Sequence, residues 1–578
     1  MDAIRTVYSL LSFKEKIRFI KIFFLIFIMT ILETFGVALV VPAVKVLISE
    51  DFYLTVNEFI SPFFEINFDK KEIIFYGLIF ILFYYIFKFF FVAFTIYNQL
   101  HFNFSILMNN SKKLYEGYLN QNYEKYTMRN SSLLVRNVTN LVDKFCGILE
   151  NCFTILTDIA LFIGVIAFLI YLDVGSTIFI FTVFGFIALA YYFGTKQKFT
   201  NWGKLAVHYE FLKFKFLYEG LTGLKDIRIS QNENFFLKSY LENVFSHGKI
   251  TLIRNFIKIL PKQTYEIIGV SSLVILSLNI VSNDEPIENF LPIAGVFAVA
   301  AFKILPSGNR LLLAFQSLRF HLAGIKILKE EYQQIKISEI QNKNVDKNIN
   351  LDFKNQIDIK NLSFRYQSRD KIILKDVNLN ISVNDTIGII GESGSGKSTL
   401  IDVIIGLYKP TDGHVLCDNK DIHGNISAWF KNIGYVPQNI QLFDDTIAKN
   451  IAFGVPETEI DFQRIHECLK MTKLSKWINE LPEELDTIVG DKGVRVSGGQ
   501  RQRIGIARAL YNKPKILFFD ESTSSLDLET ENELMKEVNE MLDQMTKVII
   551  SHRMTTLSGC NKIYKVESQT IKEINGNI

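Results

Sequence analysis

The chain has 578 residues, too many for one hydrophobic core, so two or more domains are expected. Apolar side chains make up 49% and Phe alone supplies 51 residues, a load that points away from a wholly soluble enzyme and towards a membrane component. A net charge of +3 without a dense Lys/Arg block gives no nucleic-acid partner. Cys146, Cys152, Cys417, Cys468 and Cys560 are scattered and form neither a disulfide framework nor a metal-spaced pair.

A helix needs about 20 apolar residues to cross a bilayer. Six stretches qualify: residues 19–47, 73–97, 147–172, 176–193, 264–281 and 290–315. The first has no small-residue cleavage site and is long enough to stay in the membrane, so it is expected to be a span and not a cleaved leader. Arg5, Lys14, Lys16, Arg18 and Lys21 precede it and place the N-terminus in the cytoplasm. Glu50, Asp51, Glu58 and Glu65, and the acidic gap 283–288, suit the far side. The long connections near 100–144 and 194–254 are rich in Lys and Arg and suit the cytoplasm, as helices that extend from the membrane. The pattern predicts a polytopic α-helical membrane domain of six transmembrane helices over residues 1–330, with both termini cytoplasmic. Within the first outer connection, residues 52–64 mix Leu54, Phe59, Ile60, Phe63 and Phe64 with polar residues. They read either as an amphipathic helix on the outer surface or, given Pro62, as a plain loop.

Residues 331–350 turn polar and read as a linker, after which an α/β domain over 351–578 is expected. Residues 386–390 form a buried-strand pattern that runs into Gly391, Glu392, Ser393, Gly394, Ser395, Gly396, Lys397, Ser398 and Thr399, followed by an apolar helical stretch. This is a G-x-x-x-x-G-K-[ST] phosphate loop in its strand–loop–helix context. Its backbone N–H groups and helix N-terminus suit phosphate oxygens, Lys397 the β- and γ-phosphates of ATP, and Ser398 a Mg²⁺ ion. About 120 residues on, the apolar run 516–519 ends in Asp520 and Glu521. Asp520 is placed to hold Mg²⁺ and Glu521 to polarise an attacking water.

Between these lie Val496, Ser497, Gly498, Gly499, Gln500, Arg501, Gln502 and Arg503 at a helix start. They resemble the signature of ABC transporter ATPases, with Val496 in place of the usual Leu. The resemblance implies an α/β P-loop ATPase in which the signature faces the γ-phosphate bound to a second subunit. It further implies that Tyr366 stacks on adenine, with packing alone as the plainer alternative. Gln438 resembles the glutamine that joins Mg²⁺ to the membrane domain, and Ser525, Leu526 and Asp527 resemble the D-loop. His552 resembles the switch histidine at the γ-phosphate. Residues 487–493 resemble the exporter X-loop, with Asp491 where Glu is usual.

Six spans followed by one ATPase domain are half of such an exporter, so a homodimer is the simplest assembly, with coupling helices near 115–130 and 216–229. Charges inside spans are costly and point to function. Lys88, Lys303 and Arg310 lie within spans and Lys262 at the edge of one; Glu33, Asp158 and Glu266 are the acids at similar depth. The cations either line a cavity for an anionic head group, or snorkel and pair with those acids.

Residues 32–42, 303–310 and 438–443 resemble the first helix, sixth helix and Q-loop of the PglK group of bacterial lipid-linked oligosaccharide flippases. That resemblance implies an undecaprenyl-pyrophosphate-linked glycan as substrate, carried across the bacterial inner membrane, with Lys88, Lys303 and Arg310 at its pyrophosphate. An exporter of a peptide, a drug or a simple lipid, and an ATP-gated channel or regulatory membrane ATPase, share the same ATPase motifs.

Overall fold

The computed structural model describes, in the main, residues 9–39, 69–172, 174–283, 287–343, 350–367, 370–490, 496–521, 544–557 and 559–574, with a few single residues between these stretches. The chain forms two compact units. The first comprises Met1–Gln121 with Arg129–Glu339, and the second Asn122–Met128 with Ile340–Ile578.

The first unit is built from long helices. Helix α1 (Phe13–Ala38) opens on a capping box in which Ser12 and Glu15 each satisfy the other's backbone N–H. Helix α2 (Lys70–Leu119) has 50 residues, about 75 Å at 1.5 Å per residue, so it is a span with a long extension. After the short helix α3 (Tyr123–Thr127) come α4 (Ser131–Arg136), a π-turn, α5 (Val142–Leu172), α6 (Val174–Thr222), α7 (Leu224–Ile229), α8 (Glu233–Asn283) and α9 (Ile287–Lys343). Among the described residues, four helical stretches are long and apolar enough to cross a membrane: Phe13–Ala38, Lys70–Leu119, Ser131–Tyr171 and Lys303–Ile337. The expected spans 176–193 and 264–281 lie inside α6 and α8. The core packs Ile26 of α1, Phe102 and Ile106 of α2, Phe145 and Ile148 of α5, and Ile325 and Leu328 of α9. Phe83, Phe87 and Phe90 of α2 remain exposed, as an apolar face turned to hydrocarbon is.

The structure adds two details of organisation. The polar stretch read as a linker over 331–350 is helical as far as Lys343, because its Gln, Lys and Glu residues are good helix formers and continue α9 without a break. The membrane domain is also not contiguous over 1–330, since Asn122–Met128 packs with the second unit. Most of the segment 52–64 lies outside the described residues; 54–56 and 58 are helical.

The second unit holds a four-stranded antiparallel sheet in the order β2-β1-β4-β5 and a six-stranded sheet in the order β12-β11-β3-β10-β9-β6. The strands are β1 (Gln356–Arg365), β2 (Ile372–Ser382), β3 (Thr386–Gly391), β4 (Asp412–Cys417), β5 (Lys420–Asp421), β6 (Ile433–Val436), β7 (Asp445–Thr446), β8 (Ile488–Val489), β9 (Ile516–Asp520), β10 (Thr546–Ile550), β11 (Lys562–Glu567) and β12 (Thr570–Ile574); β7 and β8 form a separate pair. Strands β6, β9, β10, β3 and β11 run parallel. Strands β9 and β10 are buried along their whole length, which is why they read as unbroken apolar runs. Parallel order brings the C-terminal ends of β3, β9 and β10 side by side at Gly391, Asp520 and Ile550, the edge where such sheets bind ligands.

Candidate nucleotide site and membrane charge cluster

The loop after β3 turns on glycines that no other residue replaces cheaply. Gly394 and Gly396 have φ of +78° and +105°, and a Cβ on Gly396 would press on Ile373. Helix α10 (Lys397–Ile405) then starts with its N-terminal N–H groups at the loop. Lys397 is buried, and its Nζ donates to the carbonyls of Gly391 and Glu392 at 2.9 Å each. The same Nζ lies 3.7 Å from Glu521 Oε1.

Ser398 Oγ donates to Asp520 Oδ1 at 3.2 Å, and Tyr435 donates to Asp520 Oδ2 at 3.3 Å. Gln438 Nε2 donates to Glu521 Oε2 at 3.0 Å. Glu521 itself takes φ +43°, and its N–H donates to Ile550 O at the end of β10. Residues 391–399, Gln438, Asp520 and Glu521 therefore converge at one sheet edge. His552 follows two residues past β10, with its side chain exposed. Tyr366 brings its hydroxyl to 2.9 Å from Thr399 Oγ1, while its ring packs edge-on against Phe364 and Tyr408. Ser497 caps helix α11 (Gly498–Tyr511) in a capping box with Gln500, so Ser497, Gly498, Gly499 and Gln500 form a separate, partly exposed helix start. Asp527, like Asp491 and Gly493, lies outside the described residues.

Two contributors escaped the motif pattern. Tyr435, three residues before Gln438, fixes the second oxygen of Asp520. Asp402, one turn into α10, has its carboxyl pushed up to about 7 by burial and by the charge of Asp520. Burial also raises Asp520 above the ordinary carboxylate range. Magnesium takes one or two protein oxygens together with waters and phosphate oxygens. The adjacent Ser398 hydroxyl and Asp520 carboxylate fit that ion, and its charge would favour ionised Asp520.

In the first unit, Lys88 and Lys303 reach the same carboxylate oxygen, Glu33 Oε2, at 3.2 and 2.9 Å. Arg310 grips Asp158 with two hydrogen bonds, Nη2 to Oδ1 at 2.6 Å and Nε to Oδ2 at 3.2 Å. Ser307 donates to the same Asp158 at 2.6 Å. Of the pairings foreseen, Lys303 with Glu33 is present, but the partner of Arg310 is Asp158. Lys262 and Glu266 form an exposed pair at 3.8 Å.

Residues 374–524 match the family model described as ABC transporter. The alpha-hemolysin translocation ATP-binding protein HlyB of Escherichia coli O157:H7 is 40% identical over 256 residues, which is 43% of this chain and 36% of that protein. The match thus spans little more than a third of that relative's length. A solved structure of a bacterial Atm1-family ABC exporter with ATP bound superposes with a TM-score of 0.71 at 18% identity, covering 97% of this chain and 95% of that one. The chain has the ABC exporter fold: a helical transmembrane domain followed by an ABC transporter ATPase domain.

Proposed function

We propose that two copies of this chain form an ATP-driven flippase of a bacterial cytoplasmic membrane. It carries an undecaprenyl-pyrophosphate-linked oligosaccharide from the inner to the outer leaflet, for protein glycosylation or surface polysaccharide assembly. Loop 391–399 holds the ATP phosphates, with Lys397 as the point charge and Ser398 and Asp520 as the protein oxygens for Mg²⁺. Glu521 takes the attacking water's proton side, held in aim by Gln438, and His552 reaches the γ-phosphate. Ser497 to Gln500 complete the partner's site, so each ATP is clamped between two copies and closure biases the membrane domains outward.

The cargo rests on one observation: three cations inside the membrane domain face two acids. Lys303 and Arg310 keep 40% and 52% of their side chains accessible although paired, so an anion can reach both heads. A pyrophosphate would take the surplus charge. The test is ATP-dependent translocation of a labelled polyprenyl-pyrophosphate oligosaccharide in proteoliposomes. Wild type is expected to transport, while Glu521→Gln and Lys303→Ala/Arg310→Ala lose transport and the latter keeps hydrolysis. Vigorous hydrolysis without transport overturns the cargo.

A second reading, export of a peptide, a drug or a simple lipid, is favoured by the same pairs, because every one of the three cations already has an acid. Transport that survives loss of Lys303 and Arg310 would select it.

A further inference from the structure

A second group of cations lies lower in the first unit, away from Lys88, Lys303 and Arg310. Lys258 of α8 donates to Ser317 Oγ of α9 at 2.9 Å. Arg254, one turn before it and on the same face, lies 4.4 Å above the ring of Phe320. Arg319 donates to the Tyr192 hydroxyl of α6 at 3.1 Å. His321 stands within electrostatic reach of Lys144, Arg254, Lys258 and Glu210, and its Nδ1 is buried without a partner. Lys144 and Glu210 pair with each other. Among the described residues, Arg254, Lys258 and Arg319 have no carboxylate within ion-pair distance, and Glu210 is already taken by Lys144. Half-buried cations without acids are costly unless something anionic meets them.

Depth indicates what that anion is. Lys258 lies six residues before the span 264–281, about 9 Å along a helix, and Arg319 four residues after the span 290–315, about 6 Å. The head-group layer extends about 5–7 Å beyond the hydrocarbon on each side. By that measure Arg319 is level with the head groups of the cytoplasmic leaflet, while Lys258 and Arg254 lie just beyond them, at the boundary with the cytoplasm. Joined to Arg319 through Tyr192 is an apolar cavity of about 590 Å³, within the usual range for ligand sites of about 300–1,000 Å³. Phe162, Leu189, Tyr265 and Leu312 line it, and so do Tyr192 and Phe315, whose rings meet edge-on. Tyr192 belongs to both features: its ring walls the cavity and its hydroxyl holds Arg319. A basic floor joined to an apolar chamber matches a lipid with a phosphate head, and basic pockets between helices on the cytoplasmic side are known to take such heads.

We propose that Arg254, Lys258, Arg319 and His321, with the adjoining cavity, form a loading site for a phosphate- or pyrophosphate-headed lipid drawn from the inner leaflet. It precedes the mid-membrane cations on the path and rests on the cargo assignment above only for which lipid occupies it.

The test is a binding titration on the full-length protein in detergent. The probes are polyprenyl pyrophosphate, phosphatidylglycerol, phosphatidylcholine and inorganic pyrophosphate. Wild type is expected to hold polyprenyl pyrophosphate at least tenfold more tightly than Arg254→Gln/Lys258→Gln. The charge-keeping pair Arg254→Lys/Lys258→Arg is expected to recover most of the affinity, which separates lost charge from misfolding. Gly185 lines the cavity, and a Cβ there meets nothing within 4 Å, so Gly185→Phe fills the chamber. It should weaken the lipid at least fivefold and leave inorganic pyrophosphate unchanged. Equal affinity in the glutamine variant, or phosphatidylcholine binding as tightly as the anionic lipids, overturns the site. Inorganic pyrophosphate binding as tightly as the lipid, with no effect of Gly185→Phe, overturns the lipid assignment in favour of a soluble anion. Charge-dependent binding of phosphatidylglycerol without oligosaccharide transport would keep this site and remove the cargo.

Discussion

Gln438 donates a 3.0 Å hydrogen bond to Glu521, and the other oxygen of that carboxylate lies 3.7 Å from Lys397. One acid is thus held between the phosphate-loop lysine and a glutamine two residues past β6. Glu521→Gln keeps the shape and removes the proposed base, so it is expected to lower ATP hydrolysis by about 10²–10⁴-fold while ATP binding persists. Gln438→Ala should slow turnover less, by about tenfold, since Glu521 remains but loses its tether. Phosphate release and nucleotide binding on the same samples check both, and a Glu521→Gln protein that hydrolyses at the wild-type rate removes Glu521 from catalysis.

Asp158 is 1% exposed and carries Arg310 and Ser307. Arg310→Ala strands that carboxylate, at an expected cost of about 2–4 kcal/mol. Arg310→Ala/Asp158→Asn should recover most of it, because no buried charge remains unpaired. Thermal unfolding of the single and double variants measures the coupling. The double variant also shows whether transport needs the guanidinium itself or only a stable helix pair.

The raised carboxyl of Asp402 gives a pH dependence with a definite sign. The unfolded chain releases this proton near pH 4, the folded nucleotide-free protein near 7. Between those values the folded state binds more protons, so its stability declines as pH rises and the loss is complete above 7. Asp402→Asn removes the burial cost of the charge. It should unfold at a higher temperature than wild type at pH 8 in chelator, with the gap closing towards pH 4. A gap that is the same at pH 5 and pH 8 would discard this account.

Helix α6 crosses α9 where Gly203 faces the backbone of Phe320, and a Cβ on Gly203 would overlap the Phe320 carbonyl oxygen. Gly203→Ala must push the helices apart and is expected to cost about 1–3 kcal/mol. Gly194 of the same helix has open space, so Gly194→Ala should be neutral or stabilising by up to about 1 kcal/mol. Unfolding temperatures of the two variants distinguish crowding from a general effect of losing glycine.

The convergence at the sheet edge was largely legible because its parts are local: Gly394, Gly396 and Lys397 stand in one loop, and Asp520 ends one strand. Tyr435 and Asp402 were not, since their roles depend on β6 and α10 being brought against Asp520, which no spacing encodes. The membrane charges were legible as charges, and the pairing of Lys303 with Glu33 was foreseen, but that of Arg310 with Asp158 was not. Arg310 and Asp158 are 152 positions apart, and only the packing of α9 on α5 decides that they meet. That the linker is helical as far as Lys343 was not legible, because polarity alone does not separate a loop from the exposed end of a long helix.

The second unit includes seven residues from far earlier in the chain. Within it, Glu124 Oε1 accepts the Gln367 N–H at 2.7 Å, one residue from Tyr366, and Tyr123 packs on Tyr408. A fragment beginning at residue 351 would therefore leave Gln367 without that acceptor and Tyr408 without one wall. Proteolytic or recombinant separation of the ATPase is expected to yield a loosened loop at Tyr366 and Gln367, and a short peptide carrying Asn122–Met128 added in trans would be the natural means to tighten it again.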